Sequence, residues 1–259
     1  MSFLEIKDVF MNYHSIEGET TVLDNINLKI EEGEFITIIG PSGCGKSTLL
    51  NIVAGLIAPS RGEVLFEGEK MSTNLDQIGY MFQKDHLFPW LNLWENVILG
   101  LKIKGEYNHE KKSFIEDMLT SYGLSDFKNY YPNELSGGMR QRVALIRTLA
   151  LSPRILLLDE PFSALDSQTR LMVCDEIYQI IKKAGKTVVM VTHDISEAVS
   201  TSSRLVVMSK RPSTIKSIFS LDFDSNYKTP LSRREAQEFR VYYNKIWKEI
   251  DVVEELKNK

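Results

Sequence analysis

Long apolar runs, cysteine and surplus positive charge are what this sequence has least of. No stretch approaches the ~20 consecutive apolar residues needed to span a bilayer, which excludes a membrane-spanning helix. The first ten residues, MSFLEIKDVF, carry acidic side chains and no cationic leader, so they do not read as a signal peptide. The formal net charge is −4, from 31 Lys+Arg against 35 Asp+Glu. That provides neither the basic footprint of a nucleic-acid binder nor a polybasic membrane anchor. The two cysteines are Cys44 and Cys174; Cys44 lies in a glycine-rich turn whose geometry a disulfide would ruin, so a reducing cytosol is expected. Internal repeats and low-complexity segments are missing too. With 43 % hydrophobic and 25 % charged residues over 259 positions, the chain has room for one large α/β domain with an insertion, or two small domains.

What is present is organised around residues 35–50, FITIIGPSGCGKSTLL. Residues 35–39 are apolar, β-branched and too few for a helix, so they predict a strand buried on both faces. The turn Gly40-Pro41-Ser42-Gly43-Cys44-Gly45 follows, then Lys46, Ser47, Thr48 and an apolar helix start. This is G-x-x-x-x-G-K-[ST] with a strand before it and a helix after it. Glycines let backbone N–H groups point into one concavity, and the helix N-terminus adds its positive end. Lys46 supplies a mobile charge for β- and γ-phosphates, and the Ser47 hydroxyl suits Mg²⁺. A bound nucleotide is expected to cover the Cys44 thiol.

Before this stretch, residues 3–10 predict an edge strand, 11–20 a loop holding Tyr13 and His14, and 21–30 a second strand. After it, short strands are expected at 63–67 and 78–82, the latter running into Gln83. Helical patterns take over at 93–100 and 110–122, as an inserted helical subdomain of about 84–148. Buried strands return at 155–158, 187–191 and 205–208, with a helix over 167–184. Such alternation implies a parallel sheet with crossover helices. In the tail, Ser232 and Glu235 fit a capping box, and Phe239, Tyr242, Ile246, Ile250 and Val253 recur at helical spacing. That helix either lies against its own domain or docks another chain.

Two further segments carry chemistry. The strand Ile155-Leu156-Leu157-Leu158 ends in Asp159 and Glu160, and ligands of parallel sheets gather at the carboxyl ends of strands. Asp159 is therefore placed to hold Mg²⁺, and Glu160 to take a proton from the water that attacks the γ-phosphorus. Leu135-Ser136-Gly137-Gly138-Met139-Arg140-Gln141-Arg142 offers a good helix N-cap, glycines and a helix start, a second anion-binding arrangement. His14, His86 and His109 lack such a context, and Cys174 reads as a small buried hydrophobe.

LSGGMRQR together with the phosphate loop resembles the signature of the ATP-binding-cassette (ABC) ATPases, and the likeness runs over about residues 3–215. The resemblance implies a P-loop NTPase (RecA-like) α/β core over 1–218, with an antiparallel N-terminal β subdomain and the helical insertion, followed by a helical extension over 219–259. It implies ATP and Mg²⁺ as ligands, with Gln83 as the Q-loop glutamine that meets metal and water. Ser163-Ala164-Leu165-Asp166 corresponds to the D-loop, His193 to the switch histidine at the γ-phosphate, and Tyr13 to the aromatic that stacks on adenine. Ser136, Gly137, Gly138, Gln141 and Asp166 would meet the nucleotide of a second copy in a head-to-tail dimer. Ile146-Arg147-Thr148 departs from the more usual Ala-Arg-Ala, with a packing difference expected.

Leu87-Phe88-Pro89-Trp90-Leu91 through Asn96-Val97, and Met208-Ser209-Lys210-Arg211-Pro212, resemble importers of nitrate, sulfonate, taurine and related small solutes. That branch implies permease subunits in the membrane, an extracytoplasmic solute-binding protein, and a place on the cytoplasmic face held by the permease. Residues 87–91 either seed the core of the helical insertion or line a groove for another chain. The competing readings are a soluble ATPase of the same superfamily acting on DNA or ribosomes, and a P-loop kinase. The first wants a coiled-coil insertion, a tandem cassette or a basic surface, and the second leaves Ser136-Gly137-Gly138 unexplained.

Overall fold

The computed structural model describes residues 2–16 and 18–255. In chain order, β1 (Leu4–Ser15) and β2 (Gly18–Ile30) form a hairpin, and β3 (Phe35–Ile39) leads into α1 (Lys46–Val53). β4 (Arg61–Phe66), β5 (Glu69–Lys70) and β6 (Ile78–Met81) follow, then α2 (Leu93–Lys104), α3 (His109–Ser121) and α4 (Gly137–Ala150). β7 (Ile155–Asp159), α5 (Ser167–Lys183), β8 (Thr187–Val191), α6 (Ile195–Thr201) and β9 (Arg204–Met208) restore the alternation. β10 (Ile215–Ser220), α7 (Pro230–Arg233) and α8 (Gln237–Glu255) come last.

Among the described residues the strands make two sheets, an antiparallel one ordered β2-β1-β4-β5 and one ordered β10-β9-β3-β8-β7-β6. In the second, β9, β3, β8, β7 and β6 run parallel and β10 pairs antiparallel at the edge. The parallel strands are apolar throughout because both their faces are covered. Their side chains alternate between two cores. Leu156, Leu158, Val188 and Met190 meet the helices of the insertion and α5, whereas Ile155, Leu157, Val189 and Val191 meet α1 and the antiparallel sheet.

Several expectations need correction. Residues 11–20 are not a loop: β1 and β2 pair through Tyr13 opposite Thr20, so Tyr13 sits on a strand. β1 is not an edge strand either, being flanked by β2 and β4. The capping box of the tail belongs to Thr229 and Ser232 rather than to Ser232 and Glu235, and it caps α7. The longer α8 lies on its own domain: Ile246 is fully buried with Ile195, Val199, Leu205 and Val207. The side chain of Val253 lies outside the described residues.

The 87–91 run divides between its two readings. Leu87 is buried in the core of the insertion, but Phe88 and Trp90 are 37 % and 69 % exposed, with ring centroids 5.2 Å apart. Asn96 explains how an apolar segment can be held outward. Its buried amide accepts from Phe88 N–H at 2.8 Å and donates toward the carbonyls of Phe88, Leu91 and Asn92 at 3.1, 2.9 and 3.0 Å. The departure at 146–148 is a packing matter, since the Thr148 methyl fills the space where a Cβ on Gly79 would stand. Among the described residues no helix is long and apolar enough to cross a membrane.

Candidate nucleotide site

Neighbouring parallel strands deliver their carboxyl ends to one edge of the sheet, and the predicted residues arrive with them. Asp159 pairs with Val191, Leu158 with Met81, Ile38 with Val191 and Ile39 with Val207. The residues just beyond these strand ends therefore converge. They open on a cavity of about 630 Å³ lined by Ser42, Gly43, Gly45, Lys46, Ser47, Thr48, Gln83, Glu160 and His193, with Tyr13, Val22 and Arg211.

The phosphate loop owes its shape to packing. Gly45, the N-cap of α1, has φ +113°, and a Cβ there would come within 2.8 Å of Val22 and 2.9 Å of Leu23. A side chain at this position would need both a disfavoured backbone angle and a retreat of β2. Lys46 is 6 % exposed, and its Nζ donates to the carbonyls of Gly40 and Pro41 at 2.9 and 3.0 Å. Gly40 and Pro41 thus act on the lysine and do not line the cavity.

Cys44 is a correction. Its thiol is buried with the apolar residues of β1, β2 and α1, beneath the loop, and its N–H bonds to Pro41 O at 3.2 Å. The protein itself, rather than a nucleotide, covers this sulfur.

Ser47 Oγ donates to Asp159 Oδ1 at 3.0 Å. Tyr80 completes this corner with its hydroxyl 2.9 Å from Asn51 Oδ1 and 3.5 Å from Asp159 Oδ2. Burial pushes the Asp159 carboxyl up from the usual range, against the hydrogen bond from Ser47, and the neighbouring Glu160 charge adds to the rise. A half-buried carboxylate facing a hydroxyl is an all-oxygen donor set of the kind a hard divalent cation prefers, with phosphate oxygens and waters as further ligands. The residues therefore fit Mg²⁺.

Glu160 has φ +46°, a left-handed backbone that non-glycine residues seldom adopt. The turn is fastened on both sides: Glu160 N–H donates to Val191 O at 2.8 Å, and its carbonyl accepts from Ser163 Oγ at 3.0 Å. The carboxylate is held between two polar neighbours, with Oε2 3.3 Å from Gln83 Nε2 and 3.1 Å from His193 Nδ1. Backbone strain concentrated where a side chain must be aimed is a common mark of a functional position.

The second motif lies elsewhere. None of Ser136, Gly137, Gly138, Gln141 and Asp166 lines the cavity. Ser136 caps α4 by accepting from Met139 N–H at 3.3 Å, and Asp166 caps α5 through Gln168 and Thr169. A Cβ on Gly137 would lie 3.1 Å from Leu165, and one on Gly138 3.0 Å from Val173. The glycines let the start of α4 nest against the 163–166 segment. Gln141 is buried, with no hydrogen-bond partner for its Oε1 among the described residues.

Residues 23–163 match the family model described as ABC transporter. The chain belongs to the ABC transporter family. This ABC ATPase is 47 % identical over 254 residues to the uncharacterized ABC transporter ATP-binding protein YtlC of Bacillus subtilis, covering 98 % of each chain. It is 39 % identical over 248 residues to the aliphatic sulfonates import ATP-binding protein SsuB of Bacillus thuringiensis, covering 96 % of each. Among solved structures it resembles the dimeric, post-hydrolysis ATP-binding cassette MJ0796 bound to ADP and Pi. The TM-score is 0.73 at 36 % identity, with 85 % of this chain and 99 % of that one covered. The chain thus has the P-loop NTPase core with an antiparallel subdomain, and it binds and hydrolyses ATP.

Arg211 and Val22 are the cavity residues that sequence reasoning missed, and Arg211 is the one that carries charge. Met208 to Pro212 attracted notice only for its likeness to a transporter branch, yet the strand-end rule applied to Asp159 reaches Arg211 equally well, since β9 also ends at this edge.

Proposed function

We propose that this chain is the ATPase subunit of an importer for a small anionic or organic solute of the nitrate, sulfonate or taurine kind, with the core over 1–218 and a helical extension over 219–259. The carrying observation is the convergence of the phosphate loop, Gln83, Glu160 and His193 on one cavity. Tyr13 forms the adenine face, and the backbone of residues 42–48, with Lys46, holds the phosphates; Gly40 and Pro41 serve by positioning Lys46. Ser47, Asp159 and Gln83 hold Mg²⁺, which when bound neutralises phosphate charge. Glu160 accepts the proton of the attacking water, and His193 and Gln83 fix its carboxylate. The likeness to sulfonate import proteins supports the solute class, and the net charge of −4 disfavours nucleic acid.

Two copies pair head to tail, so that Ser136, Gly137, Gly138, Gln141 and Asp166 of one meet the nucleotide of the other. The likeness to a dimeric cassette supports this, as does the position of these residues outside the chain's own cavity. In Gly137→Asp a carboxylate would face the partner's γ-phosphate, a like-charge clash in a partly desolvated place. The flexible Leu165 side chain is the nearest obstacle to the new Cβ. Nucleotide binding by the single subunit should survive, while ATP-driven dimerisation, followed by light scattering, should be lost. Loss of binding in the single subunit would put the motif in cis and refute the pairing.

Permease subunits hold the chain at the cytoplasmic face and an extracytoplasmic protein delivers the solute. The outward Phe88 and Trp90, a few residues from Gln83, form the contact that carries nucleotide state to the permease. Phe88→Ala should cost well under the ~3–5 kcal/mol of a core phenylalanine, leaving the melting temperature of the isolated subunit nearly unchanged. Its association with permease subunits, measured by co-purification from membranes, should fall. A large drop in melting temperature with association intact would move Phe88 back into the core. Co-purification from membranes also tests the main reading, because recovery of no membrane subunit with the wild-type chain would contradict it.

A further inference from the structure

Arg211 lines the nucleotide cavity without any role in the scheme above. Its turn is built into the frame of the site. Ser213 is fully buried, its N–H donates to Val22 O at 3.0 Å, and its carbonyl accepts from Asp24 N–H at 2.9 Å. Ser209 closes the turn, its Oγ accepting from Thr214 N–H and its carbonyl from Ser213 Oγ, both at 2.9 Å. Val22, to which the turn is fastened, is itself a cavity residue. The guanidinium is thereby carried across the phosphate loop, where Nε donates to Gly43 O. It lies so close that a Cβ on Gly43 would stand 3.0 Å from Nη2.

Among the described residues Arg211 has no carboxylate partner, whereas Arg140, Arg154, Arg170 and Arg204 each form an ion pair. One of its five N–H groups is used on Gly43, which fixes the plane and leaves the Nη donors for something else. A guanidinium held planar with free donors over a phosphate loop matches phosphate geometry.

Strand order decides which phosphate. β3, which feeds the loop, is flanked by β8 on one side and β9 on the other. Glu160, His193 and Gln83 come from β7, β8 and β6, so the γ-phosphate machinery lies on the β8 side. Arg211 comes from β9, on the opposite flank, near β2 and Val22. We propose that Arg211 is a nucleotide ligand that binds the α- and β-phosphates, the part common to ATP and ADP. This rests on the reading of the cavity as the nucleotide site.

The test compares ATP and ADP affinities, each with Mg²⁺, of the wild-type chain with those of Arg211→Gln, Arg211→Lys and Lys46→Ala. Arg211→Gln keeps a donor for Gly43 and removes the charge. It should weaken both nucleotides by a similar factor, about tenfold, the size of one charged hydrogen bond at a partly exposed place. Arg211→Lys should recover part of this, and the dependence of affinity on salt should be shallower in Arg211→Gln than in wild type. Wild-type affinity in Arg211→Gln would overturn the proposal, as would a loss confined to ATP, which would place the contact at the γ-phosphate. If Lys46→Ala also bound both nucleotides normally, the cavity assignment itself would fail. Loss in Lys46→Ala alone would sink only the role of Arg211.

Discussion

Replacing Glu160 by glutamine should leave ATP binding intact and lower turnover by roughly 10²–10⁴-fold, the span expected of a positioned general base. The substitution is close to isosteric, and Val191 and Ser163 hold the left-handed turn at Glu160 through hydrogen bonds to its backbone, which the change leaves in place. An amide at this place can still meet Gln83 and His193, as the carboxylate does at 3.3 and 3.1 Å, so the cavity should keep its shape. What an amide cannot do is take a proton from water near neutral pH. If two copies pair as proposed, the variant should accumulate as an ATP-bound dimer, because binding without hydrolysis would remove the step that separates them. Single-turnover kinetics and light scattering in ATP would read both effects. Hydrolysis at a near-wild-type rate would take the general base away from Glu160 and leave His193 as the next group to examine.

Much of this site was legible because its residues lie directly after short apolar strands. The runs at 36–39, 155–158 and 187–191 are covered on both faces, so no alternation disguises them, and a parallel sheet aligns their ends. Arg211 follows the same rule, since the 205–208 strand is legible as a buried strand; only the segment after it, 208–212, stood out for likeness alone. The hairpin failed for a different reason. β1 and β2 change register between Ile6 and Asn12, with Asp8 at φ +48° and Asn25 at φ +51°, so their inward and outward residues do not alternate cleanly. The Cys44 thiol was misplaced because sequence spacing says which residues belong to a loop but not which side of it each faces. The outward turn at Phe88 was left open for want of Asn96, a buried amide whose bonds to the 88–92 backbone no local pattern announces.

Glu197 supplies the other large effect, on stability. It lies on α6, 4 % exposed, with Thr192 Oγ1 donating to Oε2 and no partner for Oε1 among the described residues. Burial, which disfavours the charged form, pushes its carboxyl from 4.5 up to about 7; the Thr192 hydrogen bond opposes this, Asp194 reinforces it, and Arg170 and Arg234 oppose it. The folded state therefore keeps a proton that the unfolded chain releases. Between pH 4.5 and about 7 the folded form binds more protons, and stability falls as pH rises. At about 1.4 kcal/mol per unit, this group should cost up to about 3 kcal/mol by the top of that window. Glu197→Gln keeps the shape and cannot ionise. The difference in unfolding free energy between the two proteins, from urea melts at pH 5 to 8, should therefore grow in favour of the variant. Parallel curves would show that Glu197 is not the group responsible. The consequence reaches the nucleotide site through Thr192, whose Oγ1 also accepts from Asp194 N–H at 3.1 Å across the turn that carries His193. Asp194 in turn faces Arg170, which donates to Leu165 O at 2.9 Å, so the proton on Glu197 is held where the 163–166 segment and the His193 turn meet.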